Sequence, residues 1–86
     1  MTITILGKRY TLRFVPLRRA RGDCQAPTIQ GKTIRIASDL DGEERLEVII
    51  HECVHAGGWH IDEAYVERFA RDLARVLWRL NYREVA

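Results

Sequence analysis

From Leu46 to Leu80 the apolar residues recur every three or four positions, and the run is interrupted at Gly57-Gly58. That period fits α-helix and excludes strand. Leu46, Ile49, Ile50, Cys53 and Val54 mark a first helix, expected over about Gly42 to Ala56. Asp41 and Glu44 stand ahead of it at capping-box spacing, and a glycine behind it can take the left-handed conformation that ends a helix. Val66, Phe69, Ala70, Leu73, Val76, Leu77 and Leu80 mark a second helix, expected from an Asp62 N-cap towards Asn81. Two amphipathic helices in 86 residues leave room for one core, so the remaining segments must supply the surface they cover.

Those segments read as strands. Thr2–Leu6 and Arg9–Val15 are rich in β-branched and aromatic residues and flank Gly7-Lys8, which predicts a β-hairpin. Tyr10, Leu12 and Phe14 fall on one face, with Thr11, Arg13 and Val15 on the other; Pro16, lacking a backbone donor, ends the pairing. Residues 18–31 are polar and punctuated by Gly22, Pro27 and Gly31, a long loop of the kind that is more often functional than decorative. Lys32–Ala37 alternates again, with Ile34 and Ile36 opposite Thr33 and Arg35. The expected architecture is a single α+β domain over residues 1–86, order β-β-β-α-α, with a three-stranded antiparallel sheet against two helices.

The 47% hydrophobic and 30% charged composition is that of a soluble globular chain. No segment approaches the roughly eighteen apolar residues of a membrane helix. The short apolar start is followed by Lys8 and Arg9, the reverse of a signal peptide, so a cytoplasmic location is expected. Cys24 and Cys53 are too few for a disulfide framework; free thiols are the default and a single bridge the alternative. The net charge of +2 conceals segregation: residues 1–36 carry eight basic side chains against Asp23, whereas residues 37–67 carry nine acids against Arg45. An acidic middle third suits a divalent cation better than a phosphate backbone.

The first helix carries His51, Glu52 and His55 in the pattern H-E-x-x-H. Residues four apart on a helix are turned by about 40°, so the two histidines share a face and can share an ion, and neutral imidazole suits Zn²⁺. Glu52, one residue on, is placed to take a proton from a zinc-bound water and pass it to a leaving amine. The histidines lie about 130–170° from the apolar stripe centred on Leu46, Ile50 and Cys53, which argues against two ordinary core histidines. A third ligand on the same chain, in the pattern HExxHxxGxxH, would fall at position 61, which is Ile; His60 is one residue short. A carboxylate from the second helix is the other route. Glu63 lies about 70° from that helix's apolar stripe and Glu67 about 110°, while Asp62 is engaged as the cap. Glu63 is the expected ligand, with His60, Asp62 and Glu67 as alternatives.

From Lys32 onwards, the strand KTIRIA, the helix LEVIIHECVHAGGW and the acidic-headed helix DEAYVERFARDLARVLWRL resemble the small zincin-like metallopeptidases of bacteria and phages, the group of SprT-like and ImmA/IrrE-type proteins. The resemblance implies zinc-dependent hydrolysis of a peptide or protein substrate, with one Zn²⁺ on His51 and His55 and with Glu52 as general base. It also implies that residues 32–37 form the strand at the edge of the cleft and pair with extended substrate.

His60 and Tyr65 flank the expected third ligand and are candidates to hydrogen-bond an oxyanion, against a preferred reading as packing residues. Cys24 could latch an open zinc position, while Cys53 reads as core and Trp59 and Trp78 as packing anchors, with a cleft wall as the alternative for Trp59. Arg68, Arg71, Arg75, Arg79 and Arg83, with Arg13, Arg18, Arg19 and Arg21, could contact nucleic acid, but a solvated face is preferred. Two competing functions remain: a non-catalytic binding module on the same fold, and a structural zinc site whose fourth ligand would be Cys24 or His60.

Overall fold

The computed structural model of the protein describes residues 1–85. Its elements are β1 (Thr2–Ile5), β2 (Lys8–Val15), β3 (Gly22–Cys24), β4 (Thr33–Ala37), α1 (Gly42–Gly57) and α2 (Glu63–Arg79). The class is α+β, as the periodicities predict. β1 and β2 form the expected hairpin, with the turn one residue earlier, at Leu6-Gly7. Both turn residues have positive φ, 49° and 74°, as a two-residue turn needs to match strand twist.

The sheet corrects the expectation of three antiparallel strands. It has four, in the order β1-β2-β4-β3, and β4 runs parallel to β2. The reason is β3, which lies in the segment expected to be loop: the chain leaves β2, skips one strand position, runs back along β3 and reverses once more into the gap. One unforeseen strand adds one reversal, and that changes antiparallel to parallel. It also moves residues 33–37 from the edge to the interior, paired with β2 on one side and β3 on the other. β3 is the edge instead.

Tyr10, Leu12, Ile34 and Ile36 point to one face of the sheet and are buried with Val48 and Ala56 of α1. The buried residues of α1 are Val48, Glu52 and Ala56, spaced by four, and Ile49 packs against the same core. This differs from the stripe that the apolar pattern predicts, because α1 lies between two neighbours. Its other side meets α2, whose backbone comes close to α1 and to no strand, and which buries Val66, Ala70 and Ala74. The molecule is therefore a stack of sheet, α1 and α2, and not a sheet covered by two helices side by side. The Tyr10 hydroxyl donates to the Ala56 carbonyl at 3.3 Å and ties the end of α1 to the sheet.

The helix ends differ from expectation in detail. Asp62 caps α2, accepting from the Tyr65 N–H at 3.2 Å. Asp41 makes no side-chain cap, and Glu44, its expected partner, pairs with Arg21 at 3.3 Å instead. At the end of α1, Gly58 has φ −142°, outside the left-handed region. A Cβ there would overlap only the outer atoms of the Ile61 side chain, which is 43% exposed and free to turn aside.

Candidate metal centre

His51 and His55 project from one face of α1, and the first turn of α2 brings Glu63 over them. The His51 and His55 Nε2 atoms are 3.1 Å apart. Glu63 Oε1 lies 3.0 Å from the first and Oε2 2.8 Å from the second. Among the described residues these three form the cluster with metal-ligating atoms in mutual reach. Asp62 is turned to its capping role. Glu67 and His60 are exposed and lie outside the cluster.

The donor set fits a cation. Each imidazole Nε2 offers one in-plane position, either a proton or a lone pair, yet each sits within contact of two partners. Hydrogen bonds alone cannot satisfy all three contacts, whereas one ion receiving three lone pairs does. Donors on a tetrahedral ion with bonds of about 2.0–2.1 Å stand about 3.3 Å apart, close to the 3.1 Å between the two histidine nitrogens, and one ligand atom from each of the three residues lies within 4.8 Å of the others. The histidine side chains are 15% and 17% exposed and Glu63 is 64% exposed, so the cluster is open on the Glu63 side.

Glu52 is turned from the histidine face towards the sheet, where only 7% of it is exposed. It still lines the cleft of about 520 Å³ that contains His51, His55 and Glu63. Burial, reinforced by the charges of Asp23 and Glu63, pushes its carboxyl up to about 7; Arg21 opposes the shift. A carboxyl in this range can both accept and return a proton near neutral pH.

The other wall of the cleft is β3, through Gly22, Asp23 and Cys24, with Trp59 and Ile61 closing the end. Gly22 permits the approach: a Cβ there would stand 2.9 Å from both the Arg35 carbonyl oxygen and Val48 Cγ1, and 3.2 Å from Glu52 Cγ. Asp23 is held by Arg35, whose Nε donates to both carboxylate oxygens at 2.9 and 3.1 Å. Sequence reasoning missed Gly22 and Asp23, because three residues are too short to show alternation. The complementary charges of Asp23 and Arg35 were the only available signal.

The remaining candidates fall elsewhere. Tyr65 is 52% exposed and stacks on Phe69 with ring centroids 6.0 Å apart, and neither Tyr65 nor His60 lines the cleft. Cys24 and Cys53 are free thiols. Cys24 lines the cleft without joining the donor cluster, and burial together with the charge of Glu52 pushes its thiol up to about 11, away from a ligating thiolate. Arg83 is folded onto the Trp78 ring and does not continue the arginine face of α2. Among the described residues, no helix is long and apolar enough to cross a membrane. Comparison with protein-family models, curated proteins and solved structures finds no match to this chain.

Proposed function

We propose that the protein is a zinc-dependent peptidase in which His51, His55 and Glu63 hold one Zn²⁺ and Glu52 is the general base. The observation that carries this reading is the convergence of three ligand atoms from two helices beside a buried carboxyl shifted to about 7. The resemblance of the motif segments to SprT-like and ImmA/IrrE-type peptidases points the same way. When bound, the ion supplies Lewis acidity, acidifying a water and polarising a carbonyl.

The chain's own residues do the rest. Glu52 takes the proton of the attacking water as the new C–O bond forms, then delivers it to the amine nitrogen as the C–N bond breaks. An extended substrate cannot pair with residues 33–37, whose two sides are filled. The free edge belongs to β3. The Arg21 carbonyl and the Gln25 N–H are spent on β4, so by antiparallel alternation Gly22 and Cys24 turn their backbone groups outwards. Substrate pairing therefore moves to residues 22–24, on the cleft wall.

Metal analysis combined with hydrolysis of unfolded casein tests the reading. The expected result is one zinc per chain and activity lost in Glu52→Gln with zinc retained. Unchanged hydrolysis by that variant sinks the mechanism. Zinc without hydrolysis by the native chain would favour the non-catalytic module.

A further inference from the structure

A second cavity, of about 570 Å³, shares no residue with the metal cleft and opens where the start of α1 meets β2 and the end of α2. Its size is that of a small-molecule site, about 300–1,000 Å³. The walls are largely apolar, formed by side chains such as Phe14, Leu46, Ile49 and Trp78. One wall residue carries an unmet demand. The Arg45 guanidinium lies over the Phe14 ring at 4.0 Å, its Nη2 donates to Glu84 Oε2 at 3.2 Å, and its Nε is buried with no acceptor.

The Arg45 side chain is 23% exposed and its charge is paired with Glu84 through Nη2, but a buried Nε–H without an acceptor is costly, and a carboxylate that reaches both atoms would satisfy it. Glu84 reaches only Nη2, from a side chain that is 71% exposed. Arg83, the second cation of the wall, is engaged with Trp78: it donates to the Trp78 carbonyl at 2.7 Å and stacks 3.4 Å above the ring. Two guanidinium groups against one carboxylate leave the apolar cavity positively biased.

We propose that this cavity binds a small amphipathic carboxylate. Its head group bridges Nε and Nη2 of Arg45, displacing Glu84, and its aliphatic or aromatic body lies against Leu46, Ile49 and Trp78. The planar fork of a guanidinium matches a carboxylate in two parallel hydrogen bonds, which an alcohol cannot reproduce and an ammonium would oppose. Apolar walls then select acids with a hydrocarbon body over small polar ones.

The test uses the full chain carrying Trp59→Phe, which leaves Trp78 as the one tryptophan. Octanoate, 1-octanol and octylammonium are titrated, reading Trp78 fluorescence and the NMR signal of the Arg45 Nε–H. Octanoate is expected to saturate, to move the Nε–H signal, and to bind at least about tenfold more tightly than octanol. Glu84→Gln removes the competing carboxylate and is expected to tighten octanoate binding. Arg45→Gln is expected to erase the preference for octanoate over octanol. The proposal is overturned if octanoate binds no better than octanol, if the Nε–H signal stays put at saturation, or if nothing saturates. Should Arg45→Gln fail to fold, the Nε–H signal and Glu84→Gln decide the question alone.

Discussion

Glu52 occupies a position that a surface carboxylate would not: the middle of the α1 face that packs on the sheet, between Val48 and Ala56. Its folded-state pKa of about 7 stands above the ordinary 4.5, so the native protein holds this proton more tightly than the unfolded chain. Below pH 4.5 both states are protonated and the shift is without effect; from 4.5 to 7 the unfolded chain ionises first and stability falls; above 7 the full penalty persists. In the metal-free protein Glu52→Gln should therefore gain about 1–2 kcal/mol over the native chain near pH 8 and nothing near pH 4. Urea unfolding at the two pH values measures this. Equal differences at both would show that the carboxyl ionises freely in the fold.

Cys24 follows the same logic with a different consequence. A thiol raised from 9.0 to about 11 has about a hundredfold less thiolate near pH 8, and the thiolate is the species that alkylates. Followed by peptide mapping, which leaves Cys53 in place, Cys24 should react with iodoacetamide about tenfold more slowly than glutathione, the greater nucleophilicity of its thiolate offsetting part of the hundredfold. A matching rate would mean that neither burial nor the acidic surroundings act on it.

At the scale of elements, β3 decides the architecture although it is the shortest. It sets the parallel register of β4, displaces that strand from the edge and builds one wall of the cleft. Its position depends on Gly22, where two of the three close approaches are to Arg35 backbone and to Val48 in the core. Gly22→Ala should force β3 away from α1 at a cost of about 1–3 kcal/mol, lowering Tm by about 5–15 °C. Thermal unfolding followed by circular dichroism reads it. An unchanged Tm would mean that β3 does not depend on the close approach at Gly22. α1, α2, the hairpin and β4 were legible because each is long enough to repeat its period, and their ends fall within a residue or two of expectation. β3 was not, because a three-residue strand holds its place through partner backbone and has no hydrophobic pattern of its own.

For the molecule as a whole, the stack of sheet, α1 and α2 makes α2 the least anchored layer, with α1 as its one close backbone neighbour among the elements. The donor cluster joins these two helices at the first turn of α2. Metal binding should therefore clamp α2: zinc at about one hundred times its Kd should stabilise the protein by about 2.7 kcal/mol. Hydrogen exchange of residues 63–70 should rise on chelation more than that of β2 and β4. Glu63→Ala should abolish both effects. Uniform exchange changes across the chain would mean that the ion does not link the helices.

The sequence alone determined the helices, the hairpin and the shared face of His51 and His55, and it favoured Glu63 over His60, Asp62 and Glu67 as the group turned towards them. All are consequences of local periodicity, which a chain carries in its order of residues. Tertiary structure decided what depends on who lies next to whom. It turned Glu52 into a buried acid, because α1 is covered on two sides and a single-stripe reading assumes one. It left His60 and Tyr65 off the cleft, since where the connection from α1 and the first turn of α2 face depends on packing between the helices and not on spacing along the chain. It moved the free strand edge from β4 to β3, because strand neighbours are chosen by a topology in which one short backbone segment counts as much as a long one.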